Sequence, residues 1–246
     1  MKTLALYNIK GGVGKTSAAV NLAYEAVRDG GRVLLWDLDP QGATSFYLRI
    51  KAKLKGGDKT ILERDRPIED LVKESDYPGL DLLPADFSYR RLDAALATQG
   101  KAKGLKKFLK PMKQDYDLVF LDCPPSISHL SENVFQAADA LIVPLLPSPL
   151  SLRTYDQIAT FCADQRITTP RLPFFSMVDR RKALHRQIVA EFPQQHAEVL
   201  PTAIPYASIV ERMGVERAPL ATYAPKCAAA VAFASLWQDI AERLGG

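Results

Sequence analysis

The segment Lys10 to Ser17 reads KGGVGKTS, with three glycines, two lysines and two hydroxyl side chains in eight positions. Gly11, Gly12 and Gly14 carry no Cβ, so the backbone there can approach an oxyanion where a side chain would collide. A loop of this kind, set between a strand and a helix, aims its N–H groups and the positive end of the helix dipole at one point. That is a cradle for phosphate, with Val13 and Ser17 inside it. Lys15 is spaced to reach β- and γ-phosphates, and the Thr16 hydroxyl to ligate Mg²⁺. Two details depart from the ordinary loop. Ile9 stands five places before Gly14, where a glycine is usual, and a second lysine, Lys10, has no evident use in wrapping one nucleotide. Taken alone, Lys10 also reads as a solvated loop lysine.

Three acids fit the same chemistry. Asp122 ends the apolar run Leu118 to Leu121, and Asp37 and Asp39 end the run in RVLLWDLD. Carboxylates there emerge at the carboxyl edge of a sheet, where ligands of open α/β folds bind. Asp122 suits Mg²⁺ held through a water. Alternation puts Asp37 and Asp39 on one face, one to serve the metal and one to orient an attacking water. Pro40 and Gly42 shape the loop that carries them. A lone aspartate at a strand end is ordinarily a solvated group or a helix cap, but three behind one glycine loop make a site.

Positioning these groups requires strands that alternate with helices. Strands are expected at Thr3–Asn8, Arg32–Asp39, Leu80–Asp86, Asp117–Ser126, Ala140–Ser148, Leu172–Val178 and Leu200–Pro205. Thr16–Arg28 has apolar residues at helical spacing and is stopped by Gly30-Gly31. Helices are also expected at about 150–165 and 181–192, and at Cys227–Leu244. Lys51 to Asp58 reads as a loop. Continuous apolar runs between helices predict a three-layer α/β fold, a mostly parallel twisted sheet covered on both faces. No linker interrupts residues 1–246, so one domain is expected.

The bulk numbers fit a soluble protein: 246 residues, 47% hydrophobic and 24% charged. The formal charge of +4 permits an acidic partner without demanding one. Cys123, Cys162 and Cys227 form no CxxC pair and point to reduced thiols in a cytosol. No signal peptide or membrane span is expected.

KGGVGKT, DLDPQG and DCPPS, in this order and across the chain, resemble the ParA/MinD family of P-loop ATPases, whose deviant phosphate loop begins at the extra lysine. The resemblance implies a P-loop NTPase fold, ATP and Mg²⁺ as cofactors, and a dimer that sandwiches two nucleotides. It implies that Lys10 crosses the dimer interface to the partner's ATP and is catalytic together with Lys15. Asp39 matches the acid that positions the hydrolytic water, with Asp37 behind it near the metal. Asp122 matches the Walker B acid, and Cys123–Ser126 the second switch, with Cys123 a packed side chain rather than a nucleophile. Ile204–Pro219 resembles the border of the adenine and the dimer interface, which places Pro205 with the nucleotide.

Members of this family differ in the surface they visit. ParA-like members hold DNA non-specifically as ATP dimers, whereas MinD-like members bind membrane through a basic amphipathic C-terminal helix. Here the stripe Phe233, Trp237, Ile240, Leu244 reads as core. The polar face mixes Asp239, Glu242 and Arg243, where a membrane helix is rich in Lys and Arg. No membrane contact is therefore expected, and the MinD-like role is the alternative. For DNA the candidates are Arg180, Arg181, Lys182 and Arg186, with Arg212 later. Lys51, Lys53, Lys55 and Lys59 form another basic cluster, as do Lys101, Lys103, Lys106, Lys107, Lys110 and Lys113; any one such cluster also reads as a solvated face. His185 reads as a surface or capping histidine. Too little chain precedes the glycine loop for a helix-turn-helix extension, so operator binding is not expected. An iron-protein-like role needs paired cysteines, and an ATP-driven synthetase needs a substrate pocket that the sequence does not identify. The expected role is cytoplasmic and nucleoid-associated: positioning or segregating cargo with a hydrolysis-stimulating adaptor protein. MVDRRKALH and IPYASIVERMG look closer to stand-alone members that position protein bodies, such as carboxysomes or chemotaxis clusters.

Overall fold

The computed structural model describes residues 1–63, 66–99 and 104–245. In chain order the elements are β1 Lys2–Leu6, α1 Lys15–Arg28, β2 Val33–Asp37, α2 Ala43–Tyr47 and α3 Asp58–Glu63. There follow β3 Lys73–Glu74, β4 Leu80–Leu83, α4 Leu92–Gln99, α5 Gly104–Leu109, β5 Leu118–Asp122, α6 His129–Ala137 and β6 Ala140–Leu145. The chain continues with α7 Pro149–Asp164, β7 Arg171–Phe175, α8 Ala183–Gln195, α9 Ser208–Glu211, α10 Met213–Glu216, α11 Leu220–Tyr223 and α12 Ala228–Gly245.

Among the described residues seven strands form one sheet in the order β3-β4-β2-β5-β1-β6-β7, and of these only β3 runs antiparallel to its neighbour. The three-layer parallel architecture expected from the apolar runs is present. β1, β2, β4, β5 and β6 are apolar on both sides because helices cover both faces. One core holds Leu34, Trp36, Val119 and Leu121 with residues of α4 to α7. The other holds Leu35 and Phe120 with the small face Ala18, Ala19, Ala23 and Ala26 of α1, and with α12. Phe233, Trp237 and Ile240 of α12 lie in that second core, and the Trp237 indole N–H donates to Asp29 Oδ2 at 3.1 Å. Among the described residues no helix is long and apolar enough to cross a membrane.

Two expectations need correction. β2 ends at Asp37, so Asp39 lies in the turn that follows and not on the strand. Leu200–Pro205 is not a strand. It runs beside β7 and bonds through Leu200 N, Ile204 N and Tyr206 N, with a single bridge between Val178 and Pro205. Pro201 and Pro205 have no N–H to give, which breaks the ladder. Smaller differences occur at helix ends: α8 begins at Ala183, after a turn carrying Arg180 to Lys182.

Candidate nucleotide site

The sheet order brings the site together. β5 lies between β1 and β2, and its last residue, Asp122, is in register with Leu6 on one side and Asp37 on the other. The glycine loop therefore leaves β1 next to two acids on adjacent strands, which lie about 4.8 Å apart. Gly14 enters α1 in the left-handed region, at φ 91°. A Cβ at Gly14 would meet Ser176 Oγ at 3.0 Å, so glycine also admits the loop that follows β7. Gly11 and Gly12 are exposed, and an added Cβ at either would meet nothing within 4 Å. They line open space of the sort an oxyanion needs.

Both lysines of the loop are held through the backbone of Lys10. Asn8, fully buried, donates from Nδ2 to Pro144 O at 2.8 Å and accepts the Lys10 N–H at 2.9 Å. Lys15 Nζ donates to the Lys10 carbonyl at 3.1 Å. Only 7% of Lys15 is exposed, and burial pulls its pKa below the usual lysine value while Asp122 opposes that shift. An incoming phosphate restores what burial takes away, because an adjacent anion favours the ammonium. Lys10 itself is half-buried.

The two strand-end acids are the most constrained groups in the site. Asp37 and Asp122 are 0% and 1% exposed. Burial pushes both carboxyls above the ordinary carboxylate range, and for Asp37 the neighbouring Asp122 adds to it. Each has one oxygen satisfied: Thr44 Oγ1 donates to Asp122 Oδ2 at 2.7 Å, and Ser45 N and Oγ donate to Asp37 Oδ2 at 2.8 and 2.7 Å. The other oxygen of each, Oδ1, is buried with no hydrogen-bond partner. The Thr16 hydroxyl lies against the Asp122 carboxyl and favours its charged form. A divalent cation is the group that two buried, half-satisfied carboxylates and a threonine hydroxyl fit. No cluster of three or more His, Cys, Asp or Glu suited to a metal occurs among the described residues.

Asp39 is half-buried, and its Oδ1 accepts the Gln41 N–H at 2.9 Å, closing the turn to Gly42. The segment Cys123–Ser126 is anchored by Tyr7 and Ser131, whose hydroxyls both donate to Ser126 O. Cys123 is 2% exposed, and burial pushes its thiol well up, so it is packed as expected and not poised as a nucleophile.

Beside Gly14 and Ser17 opens a cavity of about 200 Å³, lined by Tyr47, Met177, Pro205, Tyr206 and Val210 among others. It is mostly apolar and adjoins the phosphate loop at Gly14 and Ser17. Pro205 stands in its wall. Sequence reading missed Asn8, Thr44, Ser45, Tyr47, Ser176 and Met177. The hydroxyl pair directly after DPQGA was a usable signal for Thr44 and Ser45. Met177, at φ 56°, carried none, since methionine seldom adopts that backbone.

Of the basic residues, Arg180, Arg181, Lys182, Arg186 and Arg212 are all exposed. Arg181 pairs with Asp179 at 2.9 Å and Arg212 with Glu216 at 2.5 Å. Arg186 Nη1 donates to the carbonyls of Arg180 and Arg181. His185 Nδ1 accepts the Asp179 N–H at 3.1 Å, in keeping with a capping role. Lys101 and Lys103 lie outside the described residues.

Residues 1–170 match the AAA domain family. The chain is also 32% identical over 253 residues to the chromosome partitioning protein ParA of Caulobacter vibrioides, covering 99% of this chain and 95% of that protein. The chain is a ParA/MinD-family P-loop ATPase. A second ParA/MinD-type relative is the sporulation initiation inhibitor protein Soj of Bacillus subtilis, 30% identical with 98% of each chain covered. Among solved structures, cobyrinic acid a,c-diamide synthase from Mycobacterium smegmatis with bound ATP analog and magnesium superposes with a TM-score of 0.85. It is 29% identical and covers 100% of this chain and 96% of its own. The loop, Asp37, Asp122 and the apolar cavity lie together at the carboxyl edge of the sheet.

Proposed function

We propose that this ATPase binds ATP with Mg²⁺, pairs as an ATP-sandwich dimer, holds DNA of any sequence, and hydrolyses ATP to ADP and phosphate. An adaptor protein that stimulates hydrolysis then releases the grip, so that cargo is positioned or segregated over the nucleoid. The cargo class is a protein body such as a carboxysome or chemotaxis cluster, or a plasmid or chromosome. The observation that carries the reading is the glycine loop with its second lysine, set against two buried acids that each keep one unsatisfied oxygen. The likeness to ParA and Soj supports partition as the purpose.

In this reading Lys15 neutralises the terminal phosphates of its own nucleotide, and Lys10 those of the partner's. Bound Mg²⁺ offsets the developing charge between phosphates, and Thr16, Asp37 and Asp122 are the residues that would hold it. Asp39 orients the attacking water from the turn after β2. Two triphosphates facing each other repel, and one ammonium from each protomer offsets that repulsion. A cation supplied in trans accelerates phosphoryl transfer by about 10³–10⁵. Lys10→Ala is therefore expected to stay monomeric with ATP by light scattering, and to lose hydrolysis by a factor within that range. Wild-type dimerisation of this variant overturns the trans role. Membrane attachment is disfavoured because the apolar stripe of α12 is already inside the core.

A further inference from the structure

The short helix α2 supplies the partners of both metal-side acids. Thr44 and Ser45 are 0% exposed, and each bonds a different carboxylate. Ser45 does more. Its Oγ also accepts the Ala85 N–H at 3.0 Å, from the chain just beyond β4. A backbone N–H can only donate, so the single Ser45 hydroxyl proton must point at Asp37. With the Ser45 N–H added, Asp37 Oδ2 receives two donors from one residue. The rotamer of Asp37 is thus set from both ends, by β2 and by α2. Asp122 Oδ2 is held by a single donor from α2, the Thr44 hydroxyl.

The pattern in the oxygens left over decides the meaning. Buried polar atoms are nearly always paired, because leaving one unpaired costs about 1–3 kcal/mol, more if charged. Here each of two acids that sit opposite each other on adjacent strands keeps one buried oxygen unpaired while its other oxygen is bonded to α2. Had the hydroxyls served only to bury the acids, their satisfied and unsatisfied oxygens need not have been sorted this way. We propose that Thr44 and Ser45 are positioning residues that hold one oxygen of Asp122 and Asp37, so that the other is presented toward the site of the divalent cation. Neither hydroxyl touches the reacting atoms; both act through the acids. The inference rests on the nucleotide-site reading above and adds to it the residues that set the cation's affinity.

The test is a Mg²⁺ titration on Thr44→Val, Ser45→Ala and the conservative Thr44→Ser, with Asp122→Asn as reference. Fluorescent ATP-analogue binding is read without and with Mg²⁺, alongside kcat and KM. Loss of an outer partner of a metal ligand typically costs about 10–100-fold in metal affinity. Thr44→Val and Ser45→Ala are expected to raise the half-saturating Mg²⁺ concentration by about tenfold, toward that range. Their Mg²⁺-free affinity for the analogue is expected to stay within about twofold of wild type, since a shift confined to the cation leaves the phosphate cradle intact. Thr44→Ser keeps the hydroxyl and is expected to restore the wild-type value. A merely structural role lowers the melting temperature but leaves the Mg²⁺ midpoint unmoved, and that result overturns the proposal. Equal weakening with and without Mg²⁺ overturns it as well. If Asp122→Asn also leaves the Mg²⁺ midpoint unchanged, the metal-site reading falls together with it.

Discussion

At the scale of single residues, the site is defined by groups whose charge the fold opposes. Asp37 and Asp122 are buried and adjacent, and their carboxyls are raised above the ordinary range by desolvation, with mutual repulsion added at Asp37. The sign of the resulting pH effect follows directly. A group whose native pKa is raised binds more protons folded than unfolded over the interval between its two values, so stability falls as pH rises through that interval. For these acids the interval begins at the ordinary carboxylate value, near 4, and extends upward. Without metal or nucleotide, the melting temperature is expected to fall as pH rises from the acid side toward neutrality. Asp37→Asn is expected to flatten that slope. Mg²⁺ with ATP should remove it, because a cation favours the ionised acids. A scan of melting temperature against pH, with and without the ligand, checks both. A slope that Asp37→Asn leaves intact assigns the effect to other groups. The chemical types of these acids were readable as strand-end aspartates. The burial of Asp37 beside a half-exposed Asp39 was not, since it depends on β2 stopping at Asp37 and leaving Asp39 in the turn.

At the scale of elements, α2 is held on its other side by a reciprocal contact with α10. Arg49, just past α2, donates from Nη2 to Glu216 O at 2.9 Å, and Arg217, just past α10, donates from Nε to Phe46 O at 2.9 Å. The Arg217 guanidinium also covers the Phe46 ring at 4.6 Å. Both arginines sit in the left-handed region, at φ 60° and 50°. That backbone costs an L-residue about 1–2 kcal/mol, but glycine nothing comparable. The contact ties the helix that grips the acids to the segment that walls the apolar cavity beside the phosphate loop, where Tyr47 and Val210 both stand. Arg217→Gly removes the side chain and relieves the backbone, whereas Arg217→Ala removes the side chain only. Both are expected to weaken ATP binding by roughly fivefold, the effect of losing about 1 kcal/mol of cation–π and hydrogen-bond energy. The melting temperature of the alanine variant is expected to lie below that of the glycine variant. Calorimetric titration and thermal melting measure the two effects separately, and equal melting temperatures for the two variants rule out the strain. This contact also shows where sequence reading stops. The strands were legible as continuous apolar runs and the long helices by apolar residues at helical spacing. α2, α9, α10 and α11 span four or five residues each. That is too short for helical periodicity to register, and their stability comes from tertiary bonds of this kind. Leu200–Pro205 failed for the opposite reason: its composition suits a strand, yet its two prolines withhold the bonds.

At the scale of the whole molecule, the proposed ATP-dependent grip on DNA has to come from a chain whose formal charge is only +4. Much of a monomer's basic surface is already engaged. Arg181 and Arg212 are paired with Asp179 and Glu216, and the Arg186 guanidinium is directed at two carbonyls. Arg180 and Lys182 are exposed in the turn before α8, and Arg180 and Arg181 line a groove with Tyr206 to Ile209, next to the apolar cavity. The proposed dimer presents such a patch twice, and under that proposal ATP-driven pairing is the switch for DNA. If the paired patches neutralise about six phosphates, log affinity falls with log salt at a slope near −5, and binding weakens roughly a thousandfold between 50 and 200 mM salt. Lys182→Ala and Arg180→Ala are each expected to reduce that slope by about one for every phosphate left without its cation, and to weaken binding evenly across sequences. Arg181→Ala and Arg212→Ala are expected to change it less, because those guanidiniums must first leave their carboxylates. Fluorescence anisotropy with unrelated duplexes, in ATP and in ADP over a salt series, measures all of this at once. Equal binding in the two nucleotides breaks the link between pairing and DNA. A slope unmoved by Lys182→Ala and Arg180→Ala moves the DNA face elsewhere, toward the lysines Lys51, Lys53, Lys55 and Lys73 around the cavity next to α2.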